Sequence, residues 1–162
     1  IELLVKKKKT STDTLLKALM IGVTVIFVLG GILFNPIILI PAIVMGVVDY
    51  FKLPALDLEY EYLYVNGELD IDKIMSKQKR KRVGSYDMKK MELVAPRNSH
   101  ELDSFRNRKD LKVHDYSSME ENAKTFGMVI NGEKGMELIY FDPNEAILKD
   151  MQRIAPRSVK LY

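Results

Sequence analysis

Ala18-Leu-Met-Ile-Gly-Val-Thr-Val-Ile-Phe-Val-Leu-Gly-Gly-Ile-Leu-Phe34, then Asn35-Pro36, then Ile37-Ile-Leu-Ile-Pro-Ala-Ile-Val-Met-Gly-Val-Val48: the architecture turns on this stretch. No residue from Ala18 to Val48 is charged. A membrane-spanning helix needs about 20 apolar residues. The run is too long for one untilted span and slightly short for two. Its flanks supply the difference. Leu15 and Leu16 lengthen a first helix, with Lys17 able to snorkel to the interface. Tyr50, Phe51 and Leu53 lengthen a second. Asn35-Pro36 is a turn-initiating pair, and Pro is well tolerated at the first position of a helix. The reading is a helix over 12–34 and another over 36–53. Thr10, Ser11, Thr12 and Asp13 offer N-caps for the first. Pro41 is expected to kink or loosen the second.

Charge sets the expected topology. Lys6 to Lys9 precede the first helix, and Lys52 and a later basic run follow the second. Lys and Arg near span ends mark the cytoplasmic side. Both ends are positive, so both termini are expected in the cytoplasm, which requires an even number of spans. A cleaved signal peptide is disfavoured because the apolar run continues past the turn. A buried core hairpin is disfavoured because no polar face is visible. Lys17, Asp49, Tyr50 and Lys52 are expected at the membrane interface, with Asp49 paired to Lys52 or Lys17. Gly22, Gly30, Gly31 and Gly46 do not form a GxxxG pair. The chain thus divides into a basic segment (1–11), a two-helix hairpin (12–54) and a compact domain (55–162).

Composition sets limits on the rest. The 162 residues carry a net charge of +3 and contain no cysteine. Disulfides and thiolate metal sites are therefore excluded. There is no tryptophan, so an aromatic belt must come from Tyr and Phe.

Leu58-Glu-Tyr-Glu-Tyr-Leu-Tyr-Val65 alternates as a strand, with Leu58, Tyr60, Tyr62 and Tyr64 on one face. Asn66-Gly67 is a strong hairpin signal, and Glu68 to Ile74 is the return strand. Lys79 to Val83 and Met88 to Val94 are expected as the third and fourth strands. The stretch 95–110 is polar and reads as a long loop. Leu111 to Asp115 alternates again. Phe126 to Ile130 and Met136 to Phe141 flank a second turn at Asn131-Gly132. Asp142-Pro143-Asn144-Glu145 reads as a helix start with Asp as cap, Pro first and Glu completing a capping box. Ile147, Met151 and Ile154 follow at helical spacing, and Pro156 stops the helix. The fold class is α+β: an N-terminal helical hairpin, then about seven antiparallel strands in a small barrel or sandwich, closed by a C-terminal helix.

That order resembles the pleckstrin-homology-like (PH-like) barrel. With the hairpin, the Tyr-rich strand, the Asn-Gly turn and the Phe141-Asp-Pro-Asn-Glu145 helix start, it resembles bacterial membrane-anchored PH-like proteins. Asp57 to Ile74 and Arg153-Ile-Ala-Pro-Arg157 look like an uncharacterised family of small two-span membrane proteins from Firmicutes. The resemblance covers nearly the whole chain. It implies a fold and a place in the bacterial cytoplasmic membrane, and carries no catalytic motif.

The candidate site is the basic run Lys77-Gln-Lys-Arg-Lys-Arg82, with Lys73 before it and Lys89-Lys90 after it. Lys73, Lys77, Lys79, Arg80, Lys81 and Arg82 together have the density of an anionic-lipid contact at a cytoplasmic surface. In PH domains that bind phosphoinositides, a Lys followed by a basic-x-Arg triplet holds the phosphates, and Lys77, Arg80 and Arg82 match that loose pattern. The plainer reading is an edge strand with gatekeeper charges. Nucleic-acid binding is disfavoured, because Tyr86 is the only aromatic near the run. The Tyr60, Tyr62, Tyr64 stripe reads as core more than as a ligand groove. His100 and His114 lack metal-ligand spacing, no triad is marked, and no phosphate loop is present. Glu59, Glu61, Asp70 and Asp72 read as solvent-facing acids. The expectation is a membrane-integral, non-enzymatic interaction module without a cofactor. It would bind a protein partner or itself through a strand edge or the groove beside the C-terminal helix. Anionic-lipid binding and a homo-oligomer acting through its helices are the alternatives.

Overall fold

The computed structural model describes residues 1–132 and 135–162. Among them the elements are β1 (Glu2–Lys6), α1 (Ser11–Leu33), α2 (Leu39–Lys52), β2 (Leu58–Val65), β3 (Glu68–Met75) and β4 (Lys79–Asp87). Then follow β5 (Met91–Pro96), α3 (Asp103–Arg106), β6 (Lys112–Asp115), β7 (Phe126–Gly132), β8 (Gly135–Phe141) and α4 (Glu145–Ile154). They form two compact units. The helical unit is Lys8–Leu58 with Met75–Lys79, and the β unit is Ile1–Lys7, Glu59–Ile74 and Arg80–Tyr162.

In the helical unit, Thr10 caps α1. Its hydroxyl accepts from the Asp13 N–H, and the Asp13 carboxylate accepts from the Thr10 N–H, both at 3.2 Å. This reciprocal box satisfies two orphan donors of the first turn. Asn35 closes the link between the helices, its side chain accepting from the Ile37 N–H at 3.0 Å, and Pro36 opens a 3-10 turn to Ile38. Pro41 falls in the first turn of α2, where its missing N–H is not needed, so the expected kink has no cause. α1 is the one helix, among the described residues, long and apolar enough to cross a membrane. α2 has 14 residues.

The β unit consists of two four-stranded sheets, ordered β1-β2-β3-β4 and β5-β7-β8-β6. This corrects the barrel expectation. The edge of β5 that a closed barrel would use is occupied by the C-terminal tail: the Val94 N–H donates to Ser158 O (2.8 Å), and the Lys160 N–H donates to Val94 O (2.7 Å). At the other end, β6 pairs with β8 in parallel. The N-terminal segment also departs from the reading as a basic tail. Glu2–Lys6 pairs antiparallel with β2, and Leu3 and Val5 face the core. The hairpin is therefore an insertion between two neighbouring strands.

Asn66 (φ 54°) and Gly67 (φ 77°) make the left-handed pair that a type I′ hairpin requires. The second expected turn is shifted. Asn131 and Gly132 belong to β7, Gly132 pairs with Gly135, and the linking residues 133–134 lie outside those described. β4 extends to Asp87, and Met88–Lys90 is a 3-10 turn rather than the start of a strand. α4 starts as expected but with a different cap. Asn144 accepts from the Ile147 N–H at 2.9 Å, while Asp142 binds Ser118 and Thr125.

The main core joins the inner faces of both sheets to Ile147, Leu148 and Met151 of α4. A second core covers the outer face of the β5-β7-β8-β6 sheet, where Leu93, Ala95, Val129, Leu138 and Tyr140 meet Leu102 and Phe105. The stretch 95–110, expected as a polar loop, instead begins with the end of β5 at Ala95 and Pro96 and carries part of the core. Leu102 is fully buried, and a Cβ on Gly127 would come within 2.7 Å of its Cδ1, so a larger residue there would have to displace the Leu102 side chain.

Candidate functional site

The basic run does not act as one block. Arg80 and Arg82 on β4 reach across to the acids of β2 and β3. Arg80 bonds Glu61 at 2.5 Å and Asp72 at 3.5 Å. Arg82 bonds Asp70 at 3.2 Å and also Asp72. Asp72 is only 4% exposed, so this cross-strand ladder neutralises a buried carboxylate. The Asp72 hydrogen bond and the neighbouring Asp70 hold the Arg82 guanidinium above its usual range. Of the four acids expected to face solvent, Glu61, Asp70 and Asp72 are thus the partners of the arginines, and Glu59 is buried at 8% exposure. By contrast, no ion pair involves Lys73, Lys77 or Lys81 among the described residues. β4 ends its sheet, and its four consecutive cations suit an exposed edge that resists pairing with another chain.

In the helical unit, Lys79 Nζ lies 5.2 Å from the ring centre of Tyr50 and 5.8 Å from that of Phe51. These two rings pack edge to face at 5.4 Å. Tyr50 and Phe51 are exposed at the end of α2. Asp49 departs from expectation. It pairs with neither Lys52 nor Lys17. It accepts from the Thr24 hydroxyl at 2.5 Å, midway along α1, and is 8% exposed. Its Oδ1 has no hydrogen-bond donor among the described residues. The helix pair thus hides one polar contact behind an apolar exterior formed by Leu19, Ile26, Leu29, Ile32, Ile40, Ile43 and Val47.

The Tyr stripe is core. Tyr62 is fully buried, and its hydroxyl donates to Tyr116 O and accepts from the Asp142 N–H at 3.1 Å. Burial drives its pKa far above the phenol range. Tyr64 is different, because its hydroxyl reaches the surface. It donates to Asp150 Oδ2 at 2.6 Å, and Arg153 donates to Asp150 Oδ1 at 2.8 Å. The Tyr64 hydroxyl and Arg153 hold the Asp150 carboxyl below the usual range. This triad floors an open groove of about 540 Å³ between the β2–β3 turn and α4, lined by Val65, Asn66, Ala146 and Lys149. The sequence reading placed a groove beside this helix and weighed Tyr64 as a groove residue before favouring core, but missed Asp150 and Arg153. The available signal was Asp150 with Arg153 three residues on, outside the Ile147-Met151-Ile154 stripe.

His100 is exposed and sits 3.1 Å from Asp103, and His114 stacks on Tyr116. No group of three or more His, Asp or Glu side chains that could hold a metal occurs among the described residues.

Two four-stranded sheets around a C-terminal helix match what comparison with known families finds. The model of the bacterial PH-like domain, DUF6106, matches residues 1–161. The chain belongs to that family. The match extends through the helical insertion, so the PH-like family includes the hairpin as well as the sheets. No curated protein and no solved structure matches the chain.

Proposed function

We propose that this PH-like protein is a membrane-anchored, non-enzymatic interaction module. Its helix pair lies in the bilayer, and the α4 groove is presented at the cytoplasmic face to a protein partner. The observation that carries this reading is the apolar exterior of α1 and α2, which a water-soluble fold would bury. Connectivity supports an even number of crossings. The chain leaves the sheet from β1 and re-enters it at β2, its hydrogen-bonded neighbour, so both ends of the insertion belong on one side. α2 is about 21 Å long. Its flanking 3-10 turns, Pro36–Ile38 and Leu53–Leu56, add about 14 Å, which brings the second limb to the thickness of a hydrocarbon core.

The groove suits an extended or helical segment with a basic or hydroxyl-bearing side chain. It offers Asp150 between apolar walls and the exposed Lys149 and Arg153 at its rim. A photo-crosslinking residue at Ala146 or Lys149 is expected to give one discrete adduct in cells. The same residue at Lys109 is expected to give none. No adduct from α4, or equal adducts from both places, would contradict this use of the groove.

A further inference from the structure

The two sheets end in β1, β4, β5 and β6, and three of these edges are poor templates for a further strand. β4 carries four consecutive cations. β5 is covered by the C-terminal tail through the hydrogen bonds at Val94. β6 is four residues long. β1 has no such protection. It reads Glu2-Leu-Leu-Val-Lys6, and Leu4 at its centre is 58% exposed. An uncovered apolar edge invites strand addition.

The backbone of β1 is set for it. Ile1 and Tyr64 exchange backbone hydrogen bonds in both directions, each at 2.9 Å. Antiparallel pairing alternates, so Leu3 opposite Tyr62 and Val5 opposite Tyr60 also bond β2. Glu2, Leu4 and Lys6 therefore turn their N–H and C=O groups to the free edge. Their side chains share the face away from the core, because Leu3 and Val5 pack into it. No ion pair within the chain involves Glu2 or Lys6 among the described residues, and Lys6 stands opposite Glu59 on β2 without forming one.

We infer that β1 pairs with β1 of a second copy of this chain, antiparallel and centred on Leu4, joining the two β1-β2-β3-β4 sheets into one. The strand is complementary to itself in that register. Leu4 meets the partner's Leu4, Glu2 meets the partner's Lys6, and Lys6 meets the partner's Glu2. Each of these pairs exchanges both of its backbone hydrogen bonds. Opposite charges then face each other across the seam, whereas β4 edges joined along their cationic runs would set like charges together. The contact uses the same patch on both copies, as a two-fold dimer requires. It stands on the β unit alone and does not depend on the anchored reading.

The test uses the full chain in dodecyl maltoside, with mass read by light scattering across a concentration series. The parent protein is expected to be dimeric. Glu2→Lys and Lys6→Glu each set like charges at both ends of the seam, and each is expected to weaken the dimer about ten-fold. Mixing the two variants is expected to restore it, because one then carries two cations where the other carries two anions. A variant that had merely misfolded would not be rescued in this way. Leu4→Cys is expected to give a disulfide-linked dimer in oxidised cell membranes, since directly opposed residues of an antiparallel pair lie within the span of a disulfide. Val113→Cys, on the β6 edge and 54% exposed in the parent, is expected to give none. A monomeric parent protein, a dimer that both charge variants leave unchanged, a mixture that fails to restore it, or linkage at Val113→Cys in place of Leu4→Cys overturns the inference.

Discussion

Leu102→Ala is expected to lower the stability of the β unit by about 3 kcal/mol, within the range for emptying a fully buried leucine site. Leu102 lies in a stretch whose composition is that of a surface loop, and a loop leucine would cost a few tenths at most. The large value follows from its position. It seats on Gly127 and is surrounded by Leu93, Val129 and Leu138, so truncation leaves a void that the rigid sheet cannot close. Denaturant unfolding followed by the near-ultraviolet signal of the buried tyrosines checks it. A midpoint unchanged from the parent protein would show that the 97–110 stretch does not cover the sheet.

Replacing Arg80 and Arg82 together with glutamine is expected to cost about 3–5 kcal/mol, because it strips both cations from a buried carboxylate. Asp72 would then lie 4% exposed with no countercharge, and Glu61 and Asp70 would lose their partners too. The triple change Lys73→Gln, Lys77→Gln, Lys81→Gln is expected to leave stability within about 0.5 kcal/mol. This contrast bears on lipid binding. Neutralising the whole run would unfold the sheet, and lost vesicle binding would then report misfolding. The lysine triple change isolates the surface charge. If the run contacts anionic lipid, these variants bind phosphatidylglycerol vesicles more weakly at low salt while keeping the parent unfolding midpoint. Equal stability losses in the two variants would contradict the ladder.

What the sequence reveals here is mostly local. Asn66-Gly67 specifies its own turn through backbone conformation, and the Tyr60-Tyr62-Tyr64 alternation specifies its buried face, so both could be read directly. The uncharged run between Lys17 and Asp49 announces its helices in the same way. The missed features are all made by distant partners. β1 is five residues beside a lysine run, and it becomes a strand because β2, beyond the whole insertion, offers an edge. Thr24 and Asp49 meet only when the two helices fold together. Asp142 looks like a helix cap until Ser118 and Thr125 arrive from another part of the chain, after which Asn144 takes the capping role. The same reason limited the site. A basic run is visible in sequence, but which of its charges are already neutralised depends on β2 and β3. The groove triad needs Tyr64 from a strand and Asp150 from a helix.

Accessibility of single cysteines in intact cells tests the central claim most directly, since these 162 residues contain none to interfere. Phe34→Cys marks the tip between the helices, where the native side chain is 85% exposed. Lys8→Cys marks the entry to the insertion, and Asn98→Cys marks the β unit. A membrane-impermeant maleimide is expected to label Phe34→Cys from outside, and to label Lys8→Cys and Asn98→Cys only after the membrane is opened. A tip protected in intact cells, or a β unit labelled from outside, would contradict a two-crossing anchor with a cytoplasmic PH-like domain.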